Sequence, residues 1–145
     1  MDDAFPAPEL IIPQRPPFLF LTAVLALEPG ISASGYWKTT GDEEFFDGHF
    51  PARPTLPGVL QCESIAQLGA YTLLSELKLR GRLPLFGGID SSRFRRQVMP
   101  GERLDLCVEI DRISARAGKG HGIARVEGIV TCECKLFFVF ANPTV

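Results

Sequence analysis

The stretch "DGHFPARPTLPGVLQCESIAQ", residues 47–67, decides the fold of this chain. It contains His49, one of the two histidines of the chain, and three prolines follow that histidine. Each proline fixes its own φ and restricts the residue before it, so the segment up to Pro57 has few conformations. Such stiffness suits a loop that must aim one side chain. A loop stiffened only for stability is the alternative.

Residues 58–80 contain no proline and predict a long buried helix. Apolar side chains cover much of its circumference, which is typical of a helix that is buried on most sides. Pro57 suits the start of the helix because it lacks the N–H that a first turn leaves unpaired. Gly81 is the expected stop.

Glu63 places a carboxylate inside this apolar helix, with Gln67 one turn further along the same face. Burying an ionised carboxylate is unfavourable unless it is paired or neutralised. Burial raises the pKa of a carboxyl group, which suits a proton donor near neutral pH. A glutamate on a narrow exposed stripe of the helix is the alternative.

The first turn of the predicted helix offers unpaired N–H groups at the positive end of the helix dipole. Gly58 has no Cβ, so a ligand can approach its backbone closely. Together with His49 and Glu63, this turn predicts an acid/base pair beside an oxyanion site. The other histidine, His121, lies in a glycine-rich segment and is expected to be solvated in a flexible turn.

The rest of the chain predicts β-structure. We expect strands at 18–27, 31–40, 83–94 and 103–114, two strands or one curved strand at 123–141, a turn at 116–122, and a short helical turn at 41–46 with Asp42 as N-cap. One helix and five or six strands favour an α+β fold in which an antiparallel sheet wraps around a long central helix. Residues 1–145 are expected to form a single domain.

Composition excludes several classes of protein. The net charge of −2 gives no case for nucleic acid binding. The acidic start does not resemble a signal peptide, and the apolar run at 16–27 is too short for membrane insertion, so we expect a cytoplasmic protein. Cys132 and Cys134 share one face of a predicted strand, and without a cluster of histidine partners the cysteines predict free thiols and no metal site.

The opening stretch also resembles the signature of the 3-hydroxyacyl-[acyl-carrier-protein] dehydratases of type II fatty acid synthesis, which have the hot-dog fold. The matching elements are G-H-F-P at 48–51, Pro54, P-G-V-L at 57–60 and E-x-x-A-Q at 63–67. The separation of His49 and Glu63 is the one found in that family.

The resemblance continues on both sides of this motif, in "RPPFLFL" at 15–21 and in "FGGIDSSRFRRQVMPGERLDLCVEI" at 86–110. It therefore covers nearly the whole chain. Gln14, Thr22 and Ala52 depart from the family pattern, and these departures leave the preference for acyl-chain length open.

The resemblance implies that a 3-hydroxyacyl thioester on acyl carrier protein loses water and becomes a trans-2-enoyl thioester. It assigns His49 as the base and Glu63 as the acid, with the Gly58 N–H as the oxyanion donor. No metal or redox cofactor is expected. The residues assigned to substrate binding are Phe50, Gly58, Val59 and Gln67.

The resemblance further implies a homodimer, assembled as a trimer of dimers, in which the histidine of one chain meets the glutamate of the other. A basic stretch containing Arg93, Arg95 and Arg96 predicts a docking surface for the acidic acyl carrier protein. Ordinary solvated charge is the alternative. Two other functions are a hot-dog thioesterase, which the His-Pro loop disfavours, and a non-catalytic acyl-carrier-binding subunit, which has no need for a His/Glu pair.

Overall fold

The computed structural model describes residues 5–142 of the chain. Its strands are β1 (Ala23–Glu28), β2 (Ser32–Lys38), β3 (Leu83–Phe94), β4 (Arg103–Ile113), β5 (Ala117–Val126) and β6 (Ile129–Ala141). Its α-helices are α1 (Phe45–Gly48) and α2 (Gly58–Leu74), and 3₁₀ helices occur at Pro8–Leu10 and Leu77–Leu79.

The strands form one antiparallel sheet in the order β1-β2-β4-β5-β6-β3. Helix α2 contacts all six strands, so the sheet wraps around it. The predicted α+β architecture, an antiparallel sheet around a central helix, is confirmed. Strands β1 and β3 are the two edges of the sheet among the described residues.

Helix α2 is buried along most of its length. Every residue from Ser64 to Leu74 is buried, because the curved sheet covers the helix on several sides. The helix begins after Pro57, as predicted, but ends at Leu74, before the expected stop at Gly81. Beyond that end the chain continues as a short 3₁₀ helix, in which Leu77 is 74% exposed and Leu79 is buried.

The first strand is shorter than the sequence predicts. Residues 18–22 have irregular backbone, because main-chain groups in this segment bond to a side chain of α2. The Phe20 N–H donates to Oε1 of Gln67 at 2.7 Å, and Gln67 Nε2 donates to the Phe18 carbonyl at 2.9 Å. A glutamine side chain thus takes the place of a neighbouring strand.

A short helical turn does precede the proline loop, but α1 spans Phe45–Gly48, later than the predicted 41–46, and Asp42 does not cap it. The neighbouring carboxylate of Glu43 instead accepts hydrogen bonds from the N–H groups of Thr40 and Gly41, both at 2.9 Å. Those bonds stabilise the turn ahead of the helix and not its first residues.

The glycine-rich segment at 116–122 is mostly strand β5, so the predicted flexible turn is wrong. Its buried glycines are Gly118, Gly120 and Gly122. A Cβ on Gly122 would lie 2.3 Å from Cγ2 of Ile65 in α2 and 2.8 Å from the carbonyl oxygen of Cys107. The absence of a side chain at this position therefore lets the helix pack directly on the sheet.

His121 lies on the outer surface of the same strand. Its Nδ1 is 2.9 Å from Asp111 Oδ2, and its Nε2 is 3.2 Å from Glu109 Oε2. The side chain is 42% exposed, so the predicted solvent contact is confirmed. Its setting in a strand between two carboxylates differs from the flexible turn that the sequence predicts.

The sequence predicts either two strands or one curved strand at 123–141, and the structure has two. β5 ends at Val126, and β6 begins at Ile129. Glu127 and Gly128 between them have φ values of 50° and 81°, which fits a two-residue hairpin turn with both central residues left-handed.

We expect Gly122→Ala to lower the free energy of unfolding by about 1–3 kcal/mol, because the new methyl group overpacks the contact between the helix and the sheet. Urea unfolding at an unchanged m value measures this loss. Gly118→Ala on the same strand is the matched control, since its nearest new contact is an ordinary 3.4 Å. Equal losses in the two variants would contradict the packing argument.

Candidate active site

His49 is held at the head of the proline loop by hydrogen bonds with Thr55. Its Nδ1 lies 3.0 Å from the Thr55 carbonyl oxygen, and the Thr55 N–H donates to the His49 carbonyl at 2.7 Å. A carbonyl oxygen can only accept, so Nδ1 carries the proton and Nε2 of the neutral ring keeps a free lone pair. The loop therefore leaves Nε2 of His49 free to accept a hydrogen bond or a proton.

Phe50 stacks on the His49 ring, with the ring centroids 4.0 Å apart and the planes inclined by 29°. Main-chain bonds between Phe50 and Arg53, at 3.2 and 3.0 Å, close the loop behind this pair. Phe50 is 51% exposed, so one face of the aromatic pair remains open to a substrate or to a second chain.

A cavity of about 470 Å³ joins His49 to the N-terminus of α2. Gly58 and Val59 line it together with Phe94. The N–H groups of a first helical turn have no partner within the helix, so this end of the cavity favours a negatively charged oxygen. A Cβ on Gly58 would lie 2.8 Å from Cδ1 of Phe94. Glycine at this position therefore allows the wall of the cavity to form.

Glu63 lies one helical turn beyond Val59 on the same face of α2. The residue is partly buried, and this burial raises the pKa of its carboxyl group, while the hydrogen bond from Gln67 lowers it. The distance from Gln67 Nε2 to Glu63 Oε2 is 3.0 Å. Glu63 is therefore not on an exposed stripe, and the net effect of its surroundings is to raise the pKa of its carboxyl group.

Gln67 is completely buried and lies behind Glu63. Its side chain holds the main chain at Phe18 and Phe20 as well as the Glu63 carboxylate. These three bonds occupy its amide oxygen and both donor positions. The structure thus gives Gln67 a positioning role, which differs from the expected direct contact with substrate.

His49 and Glu63 share neither a hydrogen bond nor a cavity within the described part of one chain. No hydrogen bond joins them among residues 5–142, and Glu63 is not part of the lining of the His49 cavity. The two predicted catalytic groups therefore lie on neighbouring surfaces of the same helix–loop unit.

The predicted basic stretch lies at the same cavity, which Arg95 and Arg96 line. Arg95 pairs with Glu133, and Nη2 of Arg96 is 3.8 Å from Glu102 Oε2. Arg93 is exposed and forms no ion pair in the part of the chain that the structure describes. All three arginines are exposed, and Arg93 is the one without an ion pair among the described residues.

A second cavity of about 760 Å³ reaches the first turn of α2 at Leu60. Its walls are largely aromatic and include Phe18, Phe20, Trp37 and Phe45. The rings of Phe20 and Trp37 lie 4.7 Å apart, centroid to centroid. Such a surface offers an alkyl chain extensive apolar contact.

Two parts of this region were not predicted from the sequence. Thr55 orients His49 through its backbone carbonyl. Every residue type has this group, so the identity of residue 55 does not reveal the contact in the sequence. Phe94 reaches Gly58 only because β3 packs beside the start of α2, and that contact joins residues far apart in the chain.

Three thiols next to Glu63 are the described residues that could hold a metal ion. Cys62 meets Cys132 and Cys134, and the three Sγ atoms lie within 4.8 Å of one another. All are free thiols, and the predicted shared strand face of Cys132 and Cys134 is confirmed by their common burial. Hydrogen bonds from these two thiols lower the pKa of Cys62. The sequence did not place Cys62 with them, because local spacing does not specify how the helix packs on the sheet.

The sheet that wraps around one central helix defines a hot-dog fold. The family model described as a FabA-like domain matches residues 12–136 of this chain. The chain belongs to the FabA-like family.

Several curated proteins are similar to the chain over most of its length. The 3-hydroxyacyl-[acyl-carrier-protein] dehydratase FabZ of Bacillus licheniformis is 51% identical over 128 residues, which cover 88% of this chain and 89% of that protein. FabZ of Bacillus subtilis strain 168 is 49% identical over 132 residues, with 91% and 94% covered. These matches confirm the resemblance that the motif around His49 indicates.

A solved structure supports the fold independently. A chain of the dehydratase heterocomplex ApeI:P from Xenorhabdus doucetiae superimposes with a TM-score of 0.79 at 18% identity, covering 97% of this chain and 94% of that chain. Among the residues that the structure describes, no helix has the length and apolar character needed to cross a bilayer.

We expect Gln67→Ala to lower the free energy of unfolding by about 2–4 kcal/mol, because it leaves the Phe20 N–H and the Phe18 carbonyl without partners. Denaturant unfolding measures the loss. Gln97→Ala is the matched control, since Gln97 is exposed, and a change below about 1 kcal/mol is expected there. A loss in Gln67→Ala no larger than in the control would show that the buried amide does not hold the segment before β1.

Proposed function

We propose that this protein is a 3-hydroxyacyl-[acyl-carrier-protein] dehydratase, which converts (3R)-3-hydroxyacyl-acyl carrier protein to trans-2-enoyl-acyl carrier protein in fatty acid biosynthesis. The observation that carries the proposal is the oriented imidazole of His49 at the N-terminus of α2. This arrangement occurs in a chain that is 51% identical to a FabZ dehydratase.

His49 acts as the base in this proposal. Its Nε2 takes the proton from carbon 2 of the acyl chain, next to the thioester carbonyl. Its Nδ1–H stays bonded to the Thr55 carbonyl, which keeps the ring oriented while it becomes positively charged. The thioester oxygen gathers negative charge as this proton leaves, and the Gly58 N–H at the helix N-terminus stabilises it.

Glu63 acts as the acid. Its protonated carboxyl group gives a proton to the hydroxyl on carbon 3, the C–O bond breaks, and water leaves as the double bond forms between carbons 2 and 3. One proton is taken up by His49 and one is released by Glu63, so a proton must return from the first group to the second after each turnover. Burial of Glu63, which favours the neutral carboxyl, supports this role.

The separation of His49 and Glu63 within one chain supports a homodimer in which each site is built from two chains. Strand β3 supports the same arrangement, because it pairs only with β6 among the described strands. Leu85, Ile89 and Phe94 on this edge are 48%, 45% and 52% exposed. A long edge strand with exposed apolar side chains favours pairing with another strand. We further propose a trimer of such dimers, which rests on the family resemblance alone.

Acyl carrier protein is the proposed partner, and it docks at Arg93, Arg95 and Arg96. These residues lie beside the His49 cavity or on the adjacent end of β3, so an acidic partner bound there can deliver a flexible arm into the cavity. The aromatic cavity at Leu60 is a second space suited to the acyl chain.

We also propose a cytoplasmic location, which the free thiols support.

We expect His49→Ala and Glu63→Ala each to lower turnover by about 10²–10⁴-fold, because each removes one catalytic proton transfer. The assay offers a trans-2-enoyl thioester and follows the loss of its conjugated absorbance as water adds. His121→Ala and Glu109→Ala on the outer surface of the sheet are the matched controls, with turnover close to that of the unmodified protein.

The same assay distinguishes the competing functions when free thiol is measured in parallel. Hydration without thiol release supports the dehydratase. Thiol release identifies a thioesterase, and binding of acyl carrier protein without either reaction identifies a non-catalytic subunit. Full turnover in His49→Ala or Glu63→Ala would contradict the proposed acid/base pair.

We expect Arg93→Glu to lower kcat/KM for acyl chains on acyl carrier protein by about tenfold, since it reverses an available charge on the docking surface. Turnover of a small thioester without the carrier should not change. Arg116→Glu, an exposed arginine in the turn between β4 and β5, is the control. An equal effect on carrier-bound and small substrates would contradict a docking role for Arg93.

A further inference from the structure

Three buried thiols converge where α2 packs against β6. Cys62, Cys132 and Cys134 are 1%, 0% and 4% exposed, respectively. Their Sγ atoms all lie within 4.8 Å of one another, and those of Cys62 and Cys132 are 4.0 Å apart. The fourth cysteine, Cys107, is exposed on β4 and does not belong to this cluster. The dehydration mechanism uses none of these thiols.

The spacing of the sulfur atoms is close to that of a metal centre. Thiolates bound at about 2.3 Å to a tetrahedral ion lie about 3.8 Å from one another. The observed 4.0 Å between Cys62 and Cys132 is already close to that value, so modest side-chain rotations complete the geometry. A disulfide requires about 2.05 Å between two sulfur atoms and leaves the third thiol unused.

We propose that Cys62, Cys132 and Cys134 bind one Zn²⁺ ion between α2 and β6. Ser92 on β3 lies beside this site, with its Oγ 3.1 Å from Cys62 Sγ. This hydroxyl is placed to orient the Cys62 thiolate by hydrogen bonding, as outer groups commonly do at metal centres. The ion completes its four ligands with an oxygen, from Ser92 or from water.

Charge and ligand type select this ion. Sulfur ligands bind zinc and monovalent copper and discriminate against magnesium and calcium, which prefer oxygen. Three thiolates around Zn²⁺ leave one net negative charge, whereas three around Cu⁺ leave two. Burial disfavours the larger net charge, so the site favours zinc.

Zinc at this position would join the helix that carries Glu63 to β6, the strand beside the β3 edge of the sheet. The three ligands come from elements that are brought together only in the folded chain, so metal binding is linked to folding. Zinc should therefore raise the melting temperature. This effect is independent of the dehydratase reaction, because no ligand takes part in proton transfer.

The test uses the full-length protein, stripped with a chelator and kept reduced with a phosphine. Zinc chloride is added, and bound metal is measured by equilibrium dialysis with elemental analysis. We expect about one zinc per chain and a rise in melting temperature. Co²⁺ in place of zinc should give the intense near-ultraviolet absorbance of thiolate-to-cobalt charge transfer.

Cys132→Ser and Cys134→Ala should each weaken zinc binding by about 100-fold or more, whereas Cys107→Ser, the matched control, should bind as the unmodified protein does. Enoyl hydration by each variant reports that it is folded. Should both core variants fail to fold, the cobalt spectrum of Cys107→Ser decides, because only the three clustered thiols remain in it. Absence of stoichiometric zinc or of the cobalt band in the unmodified protein, or equal zinc binding by folded Cys132→Ser, would overturn the proposal.

Discussion

The enclosure of α2 by a single curved sheet is the constraint on which the rest of the structure depends. A helix that touches all six strands can bury nearly every side chain. Such close packing leaves little space between the helix and the sheet. Gly122 shows this most clearly, because a Cβ there would lie 2.3 Å from Cγ2 of Ile65. The same enclosure puts Glu63 in surroundings that favour its neutral form. It also leaves the N-terminus of the helix at the wall of a cavity, where its N–H groups can act on a substrate.

The two proposed catalytic groups are controlled by different forces. His49 is oriented by the backbone carbonyl of Thr55, which selects the tautomer with Nε2 free. Glu63 is controlled by desolvation and by the buried amide of Gln67. His49 requires a fixed ring orientation, which the stiff loop provides. Glu63 requires a raised pKa, which its position in the buried helix provides.

The sequence predicted the features that depend on local spacing. The start of α2 directly after Pro57, the strand at 103–114 and the proline-stiffened loop all follow from residue type and period. The resemblance around His49 correctly indicated the family and the hot-dog fold.

The features that the sequence did not predict depend on contacts between distant residues. The local sequence around the glycines of β5 predicts a turn, whereas in the structure these glycines lie in a strand and allow α2 to pack against it. Residues 18–22 have a strand-like composition, but the side chains of Gln67 and Ser64 in α2 bond the main chain at Phe18 and Phe20. The convergence of Cys62 with two cysteines of β6 has the same origin, since no local pattern states which residues of a helix face which strand.

The proposed shared site rests on the lack of a common cavity or hydrogen bond between His49 and Glu63 within the described residues of one chain. Co-expression of His49→Ala chains with Glu63→Ala chains in equal amounts tests this claim most directly. Half of the randomly formed dimers are mixed, and each mixed dimer keeps one intact site. We therefore predict about a quarter of the unmodified activity per chain. Activity no higher than that of either variant alone would show that both groups act within one chain and would contradict the shared site.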